Sequence, residues 1–128
     1  MSATYSTRRV KRLTLYVPER DRFDNPITNA NYWVTEAIAM LTGISGSGTT
    51  KLSGEGAWVI TQTGKLQREP VNIIYTDVEP GVFNAKRNAL VAFMERFGLT
   101  TSQDAVAAEY DGEMHFLKIN HPPGAKTG

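Results

Sequence analysis

The sequence predicts one α+β domain in which two helices cover one face of an antiparallel sheet. Three observations support this prediction: short stretches in which apolar and polar residues alternate, two longer stretches with apolar residues at helical spacing, and an Asp-Gly pair between two β-rich runs. Because 128 residues with 41% hydrophobic content suit a single core, we expect one domain.

The first strand and the first helix follow a short basic arm. Leu13, Leu15 and Val17 alternate with polar residues at the period of a half-buried strand, and Pro18 ends the run. After a charged, turn-rich segment, a helix can begin at one of three capping residues, Thr28, Asn29 or Asn31. Apolar residues at helical spacing then predict a helix packed on the sheet: Trp33, Ala37, Met40, Leu41 and Ile44.

Glycine is frequent between Gly43 and Gly56, where five glycines stand among serines and threonines. This composition predicts a loop that ends the helix and leads into a strand. The β-rich runs 57–60 and 71–75 then predict an antiparallel hairpin, with Gly64 in the turn and part of the connection continuing the ladder.

The last part of the chain predicts a second helix and a second hairpin. The helix has its apolar stripe at Val82, Ala85, Ala89, Leu90, Phe93, Met94 and Phe97. Gly98 is expected to end it in the left-handed conformation. The runs 105–110 and 113–119 flank Asp111-Gly112, and a two-residue turn there places Val106 opposite Leu117 and Ala108 opposite His115.

These elements form a ferredoxin-like split βαβ order (βαββαβ) with an extra C-terminal strand. The helices cover only one sheet face, yet the strands carry more apolar side chains than one face needs: Tyr16, Trp58, Ile60, Ile74 and Phe116. Self-association through the uncovered face, or a ligand bound there, would account for this excess.

Composition limits the function classes. Fourteen Lys and Arg against 13 Asp and Glu give a formal charge of +1, so no overall field attracts nucleic acid or anionic lipid. The absence of cysteine excludes disulfides and thiolate chemistry and suits a reducing cytoplasm. No secretory signal and no stretch of roughly 20 apolar residues is present, so we expect no membrane association. We expect a flexible basic arm over residues 1–9, the domain over 10–119 and a flexible tail over 120–128.

The predicted first hairpin resembles an uncharacterised bacterial family of domains of unknown function. The resemblance is carried by the segment 54–58 (Gly-Glu-Gly-Ala-Trp), by 64–69 (Gly-Lys-Leu-Gln-Arg-Glu) and by 73–75 (Ile-Ile-Tyr), within a similar portion from about Leu13 to Ile119. The insertion over 20–25 and the glycines near Gly46 depart from the family pattern. The resemblance implies the same ferredoxin-like fold and implies no particular activity.

Two groups of residues are candidate ligand sites. The glycine-rich segment could hold an anion through backbone amides and the hydroxyls of Ser47, Thr49 and Thr50, although its spacing is not that of a phosphate-binding loop and a plain connection is the alternative. The second group is Arg68 and Glu69 beside Trp58 and Glu55.

In that second group each residue type has a role. Arg68 can bind a carboxylate or phosphate, Trp58 can stack on a planar ligand, and Glu55 or Glu69 can act as a catalytic base if its pKa is raised. The alternative is a surface hairpin with ordinary cross-strand charge pairs.

Several site classes are disfavoured. His115 and His121 do not make a metal site, no Gly-x-Ser-x-Gly elbow is present, and no cofactor motif stands out, so we expect neither a metal nor a cofactor. The arm carries Arg8 and Arg9, but the aromatic signature of RNA-binding sheets is absent, and nucleic acid is not the expected partner.

The sequence therefore leaves three functions open. The first is a homo-oligomeric module that binds a small anionic or planar ligand, or regulates, with a pocket at subunit borders. The second is a small cofactor-independent enzyme that performs acid-base chemistry on an organic anion. The third is a structural or protein-interaction domain.

Overall fold

The computed structural model describes residues 2–123 of the chain. The strands are β1 (Lys11–Pro18), β2 (Thr49–Val59), β3 (Leu66–Val78), β4 (Ala105–Tyr110) and β5 (Glu113–Lys118). The helices are α1 (Ala30–Ser45) and α2 (Val82–Thr100). Among the described residues, no helix is long and apolar enough to span a bilayer.

The five strands form one antiparallel sheet in the order β2-β3-β1-β4-β5. Both helices pack on the same face, so the predicted α+β class, the ferredoxin-like order and the extra C-terminal strand are confirmed. The helices contact each other through aromatic rings, with the centroids of Trp33 and Phe97 5.4 Å apart.

The central strand β1 sets the two faces of the sheet. Leu13 and Leu15 are fully buried under the helices, as the alternation predicts. Leu15 pairs with Ile74 on one side and with Ala108 on the other, and both partners are also fully buried. Ile74 is therefore not part of the apolar excess that the sequence predicts, because the period of two in β3 places it under the helices and its neighbour Ile73 on the uncovered face.

The second hairpin has the predicted register. Val106 pairs with Leu117 and Ala108 pairs with His115. Asp111 and Gly112 both adopt positive φ, at 52° and 80°, as a two-residue turn of this type requires.

The glycine-rich segment is mostly strand, and the prediction of a loop over 43–56 is wrong. Helix α1 continues to Ser45, Gly46 ends it with a φ of 69°, and β2 begins at Thr49. Gly54 and Gly56 lie within β2, opposite Val71 and Glu69 of β3. Pairing along the whole 11-residue strand supplies the ladder hydrogen bonds that outweigh the weak strand propensity of glycine.

Gly98 does not end α2, which continues to Thr100. The residue is buried because the helix approaches Ile119 and Val106 closely at this point. A β-carbon on residue 98 would overlap the side chain of Ile119 and lie 3.1 Å from Val106 Cγ2. Glycine is needed here for close packing, not for a left-handed turn.

We expect Gly98→Ala to lower the free energy of unfolding by about 1 kcal/mol, because overpacking outweighs the gain in helix propensity. Urea denaturation measures this change. Gly43→Ala is the matched control: Gly43 lies in α1 with no atom within 4 Å of its would-be β-carbon, so alanine should stabilise by roughly 0.5–1 kcal/mol. Equal effects of the two substitutions would contradict this account of Gly98.

Candidate functional site

A cleft lies where the first hairpin faces the loop between β1 and α1. Its volume is about 400 Å³, within the range of small-molecule sites. Its lining comes from the hairpin, from the β1–α1 loop and from the segment before β4: Asp21, Arg22, Asp24, Trp58, Ile60, Gln67, Glu69, Gln103, Asp104 and Ala105.

The hairpin contributes Trp58 and Glu69 from the sheet face that the helices leave uncovered. Gly56 pairs with Glu69 and Trp58 pairs with Gln67, so Trp58 and Glu69 are diagonal neighbours on that face. The Trp58 side chain is 48% exposed, which leaves an aromatic surface available to a ligand.

The β1–α1 loop forms the opposite wall and is held by its own hydrogen bonds. Asp21 Oδ1 accepts from the backbone N–H groups of Phe23 at 2.8 Å and Asn25 at 2.9 Å. Asp24 adopts a φ of 65°, a conformation that aspartate tolerates better than most residues. The Asp21 carboxylate is therefore held by the backbone of its own loop.

Buried Gln103 connects this loop to the segment before β4. Its side-chain amide donates to the Arg20 carbonyl at 3.0 Å, and the Arg22 N–H donates to the Ser102 carbonyl at 3.0 Å. The Gln103 carbonyl in turn lies 2.7 Å from His121 Nε2. Two walls of the cleft thus belong to one hydrogen-bonded unit.

Glu69 is the carboxylate whose environment is most altered. Partial burial raises its pKa, and the nearby negative charge of Asp24 raises it further. A backbone hydrogen bond from Arg20 and the charge of the Arg20 guanidinium lower the pKa and only partly compensate. The result is a carboxyl group that binds a proton more readily than an ordinary glutamate does.

Carboxylates outnumber cations in the lining of the cleft, and Asp24 also pairs at 3.6 Å with Arg20 beside it. Asp21, Asp24, Glu69 and Asp104 line the cleft, with Arg22 as the one lining cation among the described residues. The Arg22 guanidinium lies 3.6 Å from Asp104. The exposed indole ring of Trp58 beside several carboxylates suits a ligand that is planar at one end and positively charged at the other.

The predicted site residues fall into three separate places. Trp58 and Glu69 line the cleft, whereas Arg68 and Glu55 lie on the opposite face of the hairpin, 3.6 Å apart and both exposed. The register separates Arg68 from Glu69 because neighbouring strand residues point to opposite faces. The structure therefore brings Trp58 and Glu69 together and leaves Arg68 away from them.

The predicted hydroxyl-bearing residues Ser47, Thr49 and Thr50 lie at or just before the start of β2, at the end of the strand away from Trp58. Ser47 Oγ lies 3.3 Å from the Asp77 carbonyl, and Thr49 Oγ1 lies 2.8 Å from Thr42 Oγ1. Thr50 pairs with Tyr75, eight residues along the strand from Trp58, which is roughly 26 Å. These residues are not part of the cleft.

Sequence reasoning missed the acidic loop and Gln103. The segment 21–26 (Asp-Arg-Phe-Asp-Asn-Pro) carries the signal of an Asx turn, so its compact shape was predictable. Its position over Glu69 depends on long-range pairing, which no local signal contains. Within residues 2–123 no three His, Asp or Glu side chains are grouped as metal ligands.

No protein-family model and no curated protein sequence matches the chain. The hairpin resemblance to a family of unknown function thus remains a prediction at the level of its motifs.

Solved structures do match. A phage SAM lyase in complex with S-methyl-5'-thioadenosine aligns with a TM-score of 0.63 and 13% identity, covering 92% of this chain and 96% of that one. A phage SAM lyase in the apo state gives 0.60 and 14%, covering 91% and 96%. A Bacillus cereus protein related to NIF3 gives 0.54 and 17%, covering 85% of this chain and 27% of that one. At these identities the chain shares their fold.

Proposed function

We propose that this protein binds a sulfonium nucleoside of the S-adenosylmethionine type in the Trp58–Glu69 cleft and releases its 5'-thioadenosine part. The observation that carries the proposal is the combination of an exposed indole with carboxylates, one of raised pKa, in a single cleft. The shared fold with a phage SAM lyase that holds S-methyl-5'-thioadenosine supports this ligand class.

The cleft chemistry fits each part of such a ligand. The adenine ring can stack on Trp58, since base–aromatic stacking tolerates many ring orientations. The sulfonium and the amino group are cationic, and Asp21, Asp24 and Asp104 supply the opposite charge. This differs from the anionic ligand that Arg68 suggested, because Arg68 lies on the other face of the hairpin.

The reaction balances without a cofactor. When the bond between sulfur and the amino-acid carbon breaks, its electron pair leaves with sulfur as a neutral thioether. In the same step either Glu69 removes a proton from the adjacent carbon, giving an alkene, or the carboxylate of the four-carbon fragment attacks the carbon that sulfur leaves, giving a lactone. Glu69 acts as the base in the first route and as a counter-charge to the sulfonium in the second.

A homo-oligomeric ligand-binding or regulatory module without turnover is the second candidate. Its support is the apolar area on the uncovered sheet face, where Leu52 is 50% exposed and Phe116 is 71% exposed. In both candidate functions the protein self-associates and is located in the cytoplasm. A purely structural role would show as an oligomer that binds none of these ligands.

Ligand binding tests the cleft directly. We expect S-adenosylmethionine to bind more tightly than S-adenosylhomocysteine, its neutral thioether counterpart, because the carboxylates favour a cation. Trp58→Ala should weaken binding by about 5- to 150-fold, the range for losing one stacked base. Leu52→Ala, exposed on the same sheet face outside the cleft, is the matched control. Calorimetry showing equal affinities for both ligands and for Trp58→Ala would remove this proposal.

Turnover tests the role of Glu69. If Glu69 is the base, Glu69→Gln should reduce the rate by about 10²- to 10⁴-fold, with a much smaller loss of ligand affinity because Asp21, Asp24 and Asp104 remain. Glu55→Gln, on the opposite face, should leave the rate unchanged. The rate should rise with pH through the raised pKa of Glu69, because only the carboxylate accepts a proton. Binding without turnover in wild type would favour the regulatory candidate, and NMR of the product separates alkene from lactone.

Glu69→Gln should also not destabilise the fold. Since the pKa of Glu69 is raised in the folded state, that state binds the proton more tightly than the unfolded chain does. The stability contributed by Glu69 is therefore present at acidic pH and is lost as pH rises through the raised pKa. We expect the Tm of Glu69→Gln to equal or exceed that of wild type at pH 7, with the difference shrinking as pH falls below the ordinary pKa of glutamate, about 4.3. A lower Tm at pH 7 would contradict this.

A further inference from the structure

Strand β5 is an edge strand with apolar side chains on the uncovered face of the sheet. Within residues 2–123, β4 is its only strand partner. Its side chains on the uncovered face include Phe116, 71% exposed, and Met114, 43% exposed. An apolar edge of this kind readily pairs with another strand.

The backbone groups available on that edge follow from the hairpin geometry. In an antiparallel pair, residues alternate between hydrogen-bonded and non-hydrogen-bonded positions. The Ile119 N–H donates to the Asp104 carbonyl at 2.9 Å. This bond identifies the odd-numbered residues of β5 as the ones that form hydrogen bonds with β4. The N–H and C=O groups of Met114, Phe116 and Lys118 therefore point away from β4.

A groove accompanies this edge along its whole length. Three adjoining cavities of about 250, 360 and 320 Å³ lie between α2 and β5. The first two share Phe83, Arg87 and His115, and the last two share Leu117. Six residues of strand extend roughly 20 Å, so the groove has the length of one added strand.

We propose that β5 pairs with β5 of a second copy of this chain, around a two-fold axis at Phe116. The two β5 strands pair antiparallel, and the two-fold axis between them is perpendicular to the sheet, so that equivalent faces lie on the same side. Phe116 then lies opposite Phe116 of the second copy, and Met114 lies opposite its Lys118. The two sheets become one continuous sheet, and the two Phe116 rings contact each other on the uncovered face.

The helices give this arrangement its charge complementarity. Val91, 38% exposed, lines the same cavity as Phe116 and lies closest to the axis on α2. Arg87 and Glu95 are exposed, one turn before and one turn after Val91. A two-fold axis beside Val91 places Arg87 of one copy opposite Glu95 of the other, and this pair occurs twice.

Neither residue has an ion-pair partner among residues 2–123 in one copy. Their i±4 neighbours on the helix are the apolar residues Phe83, Val91 and Leu99. The second copy therefore supplies an opposite charge that the subunit itself does not. On the same side of the sheet, Leu117 of the second copy faces His115 at the groove.

This inference gives the self-association proposed above a defined surface, and it rests on that part of the proposal alone. The cleft residues take no part in it. A variant that separates the copies should therefore keep its ligand affinity, and a cleft variant should keep its assembly.

Sedimentation of charge-reversal variants is the test. Wild type should sediment as a dimer at tens of micromolar. Arg87→Glu and Glu95→Arg should each raise the dissociation constant of the dimer by about tenfold or more, because each places like charges opposite one another twice. The double variant R87E/E95R should return to within about threefold of wild type, since the pair is restored in reverse. Arg68→Glu, exposed on the first hairpin, is the control and should leave assembly unchanged.

A thiol at position 116 provides a second measurement, because the chain has no cysteine. Phe116→Cys should be cross-linked between copies by a short bismaleimide, whereas Leu52→Cys, exposed on the opposite edge strand, should not. A wild-type monomer at 100 micromolar overturns the inference together with self-association. An oligomer that ignores both single charge reversals, or is not restored by the double variant, overturns this surface alone.

Discussion

The pairing of Leu15 with Ile74 and Ala108 at the centre of the sheet is the constraint on which the rest of the structure depends. These three side chains are fully buried under the helices, so the registers of β1, β3 and β4 are fixed together. A slip by one residue would turn the apolar set toward the uncovered face. The register of β2 on β3 then decides that Trp58 and Glu69 share a face and that Arg68 does not.

Periodicity alone was enough to predict the architecture. Alternation in β1, helical spacing in α1 and α2, and the Asp111-Gly112 turn each reflect a local physical preference that the tertiary structure also satisfies. The failures came where long-range contacts override local preference. Gly54 and Gly56 predict a loop, but the 13-residue partner strand β3 supplies hydrogen bonds that hold them in a strand. Gly98 predicts a helix end, but in the structure it lies inside α2, where Ile119 packs against it.

The candidate site divides along the same line. Trp58 and Glu69 could be selected from the sequence, because both belong to one predicted hairpin. The acidic wall could not, since Asp21 and Asp24 reach the cleft through long-range hydrogen bonds such as the one from Gln103 to the Arg20 carbonyl. The first hairpin, the β1–α1 loop and the segment before β4 are distant in the chain and come together at the cleft. The sign of the charge in the cleft depends on their contact.

The two sides of the cleft also differ in mechanical support. The β1–α1 loop is anchored by buried Gln103 and by its own Asx hydrogen bonds. The hairpin opposite extends beyond the helices, and even on its helix-side face Glu55, Ala57 and Val59 are exposed. A two-stranded ribbon without a supporting layer bends more easily than a packed loop. The Trp58 side is therefore the wall of the cleft that moves more easily, while the acidic side is held more firmly.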